Sequence, residues 1–319
     1  MTIGTLLLSI FGVFGNWLIL FAIIITKSLH NRCNILIGTL AGADLICSIY
    51  FVELRIIILA RGFFWSNAKC FLWSTYGLFA MNIQSGMGLA LGADRLLAIA
   101  KPIKYRSWSN TSYIAALLCP VLAYAIIVTA FGYTESSAGL SVAVCFPPSA
   151  YVLKARNFWI GSNVVIVVLV LLAYSTAQYK IRRASNLSKG NDANLTATKR
   201  LLDSLTCVMV VYAATWALTV LALLLTQVIA PGTNLAKAVE LQLSWLVLIN
   251  TSSSVLIYAW RAQDYRQAFV RILTCGEFAY AGGFKKTTTV QITSKLSTSN
   301  MSMQNTRRNS VVSIRIPAI

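Results

Sequence analysis

Hydrophobic residues in this chain gather into long runs with few polar interruptions, at roughly 3–25, 35–60, 69–100, 112–132, 158–180, 201–229 and 238–260. Each run is near or above the ~20 residues an α-helix needs to cross the hydrocarbon core of a bilayer. Backbone amides in lipid find no water, so apolar runs of this length must close their hydrogen bonds internally, as helices. A soluble α/β core would instead show short apolar runs broken by Gly and Pro turns. The pattern predicts an all-α membrane protein, a bundle of seven transmembrane helices. The third run exceeds one bilayer thickness and is expected to tilt or protrude. Connections are short apart from 133–156 and 181–200. No internal repeat is visible, which weighs against transporters built from inverted repeats. The first run is too long for a cleaved signal peptide and lacks its basic start, so it reads as a retained signal-anchor.

Past the seventh run the period changes. Tyr265, Ala268, Phe269, Ile272 and Leu273 recur at three-and-four spacing, with Arg261, Asp264, Arg266, Gln267 and Arg271 between them. This pattern predicts a short amphipathic eighth helix, within 260–275, lying on the membrane surface. Cys275 at its end is a candidate palmitoylation site. The bundle and this helix occupy 1–275, and the Ser-, Thr- and Asn-rich remainder, 276–319, reads as a disordered tail. Within it, Arg307-Arg308-Asn309-Ser310 resembles a basophilic kinase site.

Composition supports a lipid-facing chain: 57% of the 319 residues are hydrophobic and only 11% are charged, against about 25% charged in soluble domains. The net charge of +18 would suggest nucleic acid in a soluble protein. Here its placement decides otherwise. Arg55, Arg61, Lys69, Lys154, Arg156 and Lys237 fall on one side of the spans, and the remaining Lys and Arg fall on the other. That asymmetry predicts an N-terminus outside, a C-terminus in the cytoplasm and contact with anionic lipid. Of the seven cysteines, only Cys70 and Cys145 fall on the outer side, where thiols oxidise; the rest lie in spans or face the reducing cytosol. A disulfide between them would pin the long outer loop over the bundle, the alternative being two free thiols. The single histidine, His30, lies in a loop, and no metal-ligand spacing is present. Metal and enzyme readings therefore lack residues, and no cofactor is expected apart from the ion discussed below.

Polar groups within spans are costly, and here they recur in order. Span one holds Gly15-Asn16 and span two Leu40-Ala41-Gly42-Ala43-Asp44. Span three ends in Asp94-Arg95-Leu96, followed by Ala98-Ile99-Ala100-Lys101-Pro102-Ile103-Lys104-Tyr105, with Cys70 standing 25 residues before Arg95. Span six has Tyr212 and Trp216, and span seven ends Asn250…Ser254-Val255-Leu256-Ile257-Tyr258. In order and spacing, 10–273 resembles the rhodopsin-like (class A) G-protein-coupled receptors. The string Lys27-Ser28-Leu29-His30…Cys33-Asn34-Ile35-Leu36-Ile37 is most similar to nematode serpentine chemoreceptors of the Srsx group.

The resemblance implies a plasma-membrane receptor, chemosensory and in a sensory cilium, whose partners are a small-molecule ligand, a heterotrimeric G protein and arrestin. Arg95 would be the switch, paired with Asp94 at rest and pointing into the G-protein cavity beside Tyr258 and Tyr174 when active. An acid that often ties span six to span three is replaced by Thr198, beside Lys199 and Arg200, which implies raised basal activity. Asn16, Asp44, Gln84, Asn250 and Ser254 would form a polar core. At Asp44 two readings stay open, a sodium ion or a neutral hydrogen-bonded carboxyl, and Gln84 in place of the usual serine weighs against the ion. The family's prolines are absent from span five, at Leu218 and at Val255, and span four lacks its tryptophan; straighter helices, a changed activation movement or a receptor that couples poorly are the expected consequences.

The implied ligand pocket comprises Gly77, Leu78, Met81, Asn82, Trp216, Thr219, Val220, Leu223, Ser244 and Leu248, an apolar lining for a small, weakly polar molecule. Gly77 stands where an amine receptor would carry Asp, and Leu248 where an opsin would carry its retinal-binding Lys. Glu53 and Glu240, near the outer mouth, would pair with a cationic ligand or with Arg55, Arg61 or Lys237. A neuropeptide receptor of the same fold and a transporter are the alternative readings.

Overall fold

This computed structural model describes residues 2–60, 65–137, 139–142, 145–187, 206, 210–229 and 233–274. Helix α1 (Thr2–Ile25) is followed by α2 (Arg32–Leu59), α3 (Asn67–Ala100), the short α4 (Pro102–Ser107) and α5 (Asn110–Glu135). Then come the single turn α6 (Pro147–Ala150), α7 (Leu153–Leu187), a π-helical turn (Ala213–Ala217) leading into α8 (Leu218–Ile229), α9 (Asn234–Arg261) and α10 (Gln263–Leu273). Starts carry their caps: the side chains of Asn31 and Ser109 accept hydrogen bonds from the N–H groups of Asn34 and Ser112, at 2.9 and 3.2 Å, and Pro102 opens α4. His30 Nε2 bonds the Ile23 carbonyl at 2.9 Å, occupying an acceptor that the end of α1 leaves free.

Among the described residues six helical segments are each long and apolar enough to cross a membrane: Thr2–Ile25, Arg32–Leu59, Asn110–Glu135, Leu153–Arg183, Val210–Ile229 and Ala238–Arg261. The third expected span, α3, is not among them, although its 34 residues would extend roughly 51 Å at 1.5 Å per residue. Its lower hydropathy has a packing cause. It lies against α2, α5 and α7, and its Asn82, Gln84, Ser85, Asp94 and Arg95 are buried among them. A helix whose neighbours are protein on most sides can carry polar groups that a lipid-facing helix cannot. The outer faces of α1, α5 and α7 instead expose Ile3, Leu7, Ile126, Ile127, Val165 and Leu172.

At one end Cys70, near the start of α3, forms a disulfide with Cys145. Beside it, β1 (Trp65–Ser66) pairs antiparallel with β2 (Ser141–Val142). Together they hold Phe146 and α6 over the bundle. At the other end lie α4 and α10. Helix α10 buries Tyr265, Ala268 and Phe269 on one face, as the sequence spacing requires, and exposes Val270 and Leu273. Tyr265 stacks on Tyr258 with ring centroids 4.9 Å apart and donates to Asn34 Oδ1 at 3.1 Å, tying α10 to α9 and α2. Thr198, Cys275 and the tail 276–319 lie outside the described residues.

The expectation of straighter helices fails in span six. Ala213–Ala217 forms a wide π turn ahead of Leu218, where proline would stand. Carbonyls in this stretch gain hydroxyl donors: Thr215 donates to Val211 O at 2.7 Å and Thr219 to Thr215 O at 2.8 Å. A π bulge distorts a helix axis as proline does, without removing an N–H. Span four carries its own interruption, Pro120 inside α5.

Candidate functional site

The Arg95 end is built on small residues of α3. A Cβ on Gly92 would stand 2.9 Å from the Tyr174 ring, and one on Gly88 would stand 3.1 Å from that of Tyr212. Hydrogen at these positions lets aromatic rings from α7 and the span-six segment lie directly on the α3 backbone. One turn on, Arg95 donates through Nε (2.8 Å) and Nη2 to Asp94 Oδ2. Asp94 Oδ1 accepts from the hydroxyls of Tyr105 at 3.1 Å and Tyr113 at 3.0 Å. The carboxylate is fully buried and Arg95 is only 6% exposed, so the pair is held by charge and four hydrogen bonds in a dry setting. Burial and the Asp94 charge push the Tyr105 hydroxyl's pKa well above its usual value, keeping it a donor. Arg32 fixes this loop from α2, donating to Asn110 Oδ1 and to the carbonyls of Tyr105 and Trp108, with its guanidinium 5.1 Å from the Tyr105 ring centre.

Tyr174 and Tyr258 are buried within electrostatic reach of Arg95. Neither hydroxyl has a hydrogen-bond partner among the described residues. Buried hydroxyls without partners are unusual, and they leave the tyrosines free to take a new acceptor or a water. Asp94, Arg95, Tyr174 and Tyr258 are thus brought to one end of the bundle.

The polar core is less connected than the sequence implied. Asn16 donates to Gly12 O and to Thr251 O, each at 2.9 Å, joining α1 to α9. Asp44, Gln84, Asn250 and Ser254 are buried, yet no side-chain hydrogen bond joins these residues to one another or to Asn16 among the described residues. Asn16 Oδ1, Asp44 Oδ1 and both amide atoms of Gln84 have no hydrogen-bond partner among the described residues. The three oxygens, one of them a carboxylate's, are of the donor type that a hard cation such as sodium takes.

At the disulfide end a narrow apolar cavity of about 30 Å³ lies beneath Phe146, Pro147 and Pro148. Its walls are Phe51, Met81, Trp159, Ile160, Trp216, Thr219, Val220, Leu223, Leu243 and Val247, with Asn163, Glu240 and Ser244 as polar members. Met81, Trp216, Thr219 and Ser244 therefore line it together. Gly77 and Asn82 lie elsewhere. The Tyr50 ring fills the space beside Gly77, 2.4 Å from where a Cβ would be. Asn82 is taken up by Thr129, Tyr151 and Trp159 at 3.2, 3.0 and 3.1 Å, in the seam between α3, α5 and α7.

The acids at this end find partners other than those expected. Glu240 pairs with Arg156, and Glu53 accepts from the Tyr76 hydroxyl. Sequence reasoning also passed over Asn163. Its Oδ1 accepts from Ser85 Oγ at 2.6 Å and from the Trp216 indole at 3.2 Å, linking α7, α3 and the π turn. An asparagine inside an apolar span was the available signal.

A bundle with a pinned cap over a cavity at one end and a buried ion pair at the other has the architecture of a seven-transmembrane receptor. Residues 9–273 match the family described as Serpentine type 7TM GPCR chemoreceptor Srsx, and the chain belongs to that family of G-protein-coupled receptors, which are not enzymes. It is 27% identical over 293 residues to cannabinoid receptor 1 of Taricha granulosa, covering 83% of this chain and 61% of that receptor. It is 28% identical to cannabinoid receptor type 1B of Takifugu rubripes, covering 85% and 61%. With sphingosine 1-phosphate receptor 1 of Danio rerio it shares 23% identity, over 83% and 76% of the two chains. The chain thus spans about three fifths of the length of the cannabinoid receptors it matches.

Proposed function

We propose that this protein is a plasma-membrane chemoreceptor, oriented with the disulfide end outside, that takes a small, largely apolar ligand into the cavity beneath Phe146. It activates a heterotrimeric G protein at the Arg95 end. The observation that carries the reading is the pairing of an apolar cavity at one end with a buried Asp94–Arg95 pair at the other, flanked by tyrosine hydroxyls that have no partner among the described residues. Trp216 reaches both regions: it lines the cavity and sits in the π turn that continues to Tyr212, stacked on it 6.3 Å away. A ligand pressing on Trp216 acts on the segment whose Tyr212 lies against α3. Receptors named for cannabinoids and for sphingosine 1-phosphate are among the relatives, which supports a small-molecule ligand. The cap of Phe146, Pro147 and Pro148 leaves little room for a peptide.

The test is G-protein activation followed by energy transfer in cells, comparing the intact receptor with Arg95→Ala at matched surface expression. Activation lost in Arg95→Ala supports the reading; equal activation by both proteins refutes it. The second proposal is a sodium ion held by Asp44, Asn16 and Gln84, which would stiffen the resting core. Sodium, compared with potassium at the same ionic strength, is expected to raise the thermal stability of the purified receptor, and Asp44→Asn to remove that difference. No sodium-specific shift in the intact receptor would leave Asp44 a neutral carboxyl.

A further inference from the structure

Arg55 is a buried cation without an anionic partner among the described residues. It projects from α2, is 4% exposed, and among the described residues forms no ion pair. Its Nη2 donates to Ser244 Oγ at 2.6 Å, its guanidinium lies 5.4 Å from the Phe146 ring centre, and its Nε has no partner. Both residues it touches are walls of the ligand cavity, and so is Phe51, one turn before it on α2. The other charges of that wall cancel, because Glu240 is neutralised by Arg156. One positive charge is left at the rim of an apolar chamber.

An uncompensated guanidinium in such a setting is expensive, and a hydroxyl and a ring face recover only part of its lost hydration. The cost is removed when a carboxylate arrives, since its two oxygens match the parallel N–H groups of the guanidinium fork. Ser244 supplies a hydroxyl beside the same spot. A single excess charge suits a monoanion better than a doubly charged phosphate.

Resting on the reading of this cavity as the ligand site, we propose that the natural ligand is an amphiphilic carboxylate, its hydrocarbon body against Trp216, Leu223 and Val247 and its headgroup on Arg55 and Ser244.

The experiment measures binding without any G protein, so it fails or succeeds independently of coupling. The full-length receptor, purified in lipid nanodiscs, is melted with decanoate, methyl decanoate, decylamine or decyl phosphate. Decanoate is expected to raise the melting temperature in a saturable way, while the ester and the amine do not. Arg55→Gln should weaken decanoate about ten- to a hundred-fold, the loss of one charge-assisted contact, and Arg55→Lys should retain part of the affinity. Equal shifts from decanoate and its ester would make Arg55 a structural residue and overturn the proposal, as would no shift from any probe. A shift from decyl phosphate alone would overturn the choice of carboxylate. If Arg55→Gln does not fold, the acid-against-ester comparison on the intact receptor still decides.

Discussion

Asp94→Asn is expected to raise ligand-independent G-protein activation about tenfold or more at matched surface expression. The side chain keeps its shape and loses its charge. Arg95 then stays buried with no counter-ion, and one oxygen that accepted from a tyrosine or from Arg95 becomes an amide donor. Removing one member of a buried ion pair costs about 3–5 kcal/mol in the state that buries it. That cost falls on the resting arrangement; a state in which Arg95 turns toward a G protein and water bears less of it. A difference of only about 1.4 kcal/mol between two states already changes their ratio tenfold. Asp94→Glu, which keeps the charge, should behave much more like the intact receptor. Energy-transfer assays without ligand measure all three, and basal activity in Asp94→Asn no higher than in the intact protein would separate this ion pair from the switch.

Gly77→Val should remove most folded receptor from the cell surface. A Cβ at this position would stand 2.4 Å from Tyr50 Cγ and 2.9 Å from its Cβ. These atoms are the root of the side chain, so turning the ring does not clear them. Nor can the ring leave. Tyr50 is fully buried, packs edge-on to Phe51 and Tyr76 at 5.4 and 5.8 Å, and donates its hydroxyl to Ser74 at 3.3 Å. Overpacking costs roughly 1–3 kcal/mol where neighbours can yield; here α2 and α3 themselves must part, so the loss exceeds that range. Gly42→Val is the control, because a Cβ there meets nothing within 4 Å. The two variants are compared by surface labelling and by melting of the solubilised protein, and similar behaviour would mean that α2 and α3 separate easily at Tyr50.

The spans were legible because lipid imposes a length and a polarity that few other environments demand, as α1 and α5 illustrate. Asp94-Arg95 and Cys70 with Cys145 were legible because ionised groups and thiols at those depths have few alternatives. Partnerships between helices were not. Glu240 meets Arg156, 84 residues away in sequence, and not Arg55, which the sequence offered as a partner. Chain position says nothing about which residues face one another across a bundle. Facing is also decided by single steps of about 100° around a helix: Met81 lines the cavity, while its neighbour Asn82 turns into the seam with α5 and α7. The π turn had no signature at all, since its alanines, threonine and tryptophan are ordinary helix residues.

That turn also sets how the chain tolerates insertion and deletion. A π turn accommodates one residue more than the α turn it replaces. Losing a single codon within Ala213–Ala217 would let the backbone close into a regular helix, with the segments on either side keeping their facing. The same loss within α3 would rotate everything beyond it by about 100°, carrying Asp94 and Arg95 off their partners. Among the described spans, length variation between related genes should therefore concentrate at this turn, and the shorter forms should have the straighter sixth helix.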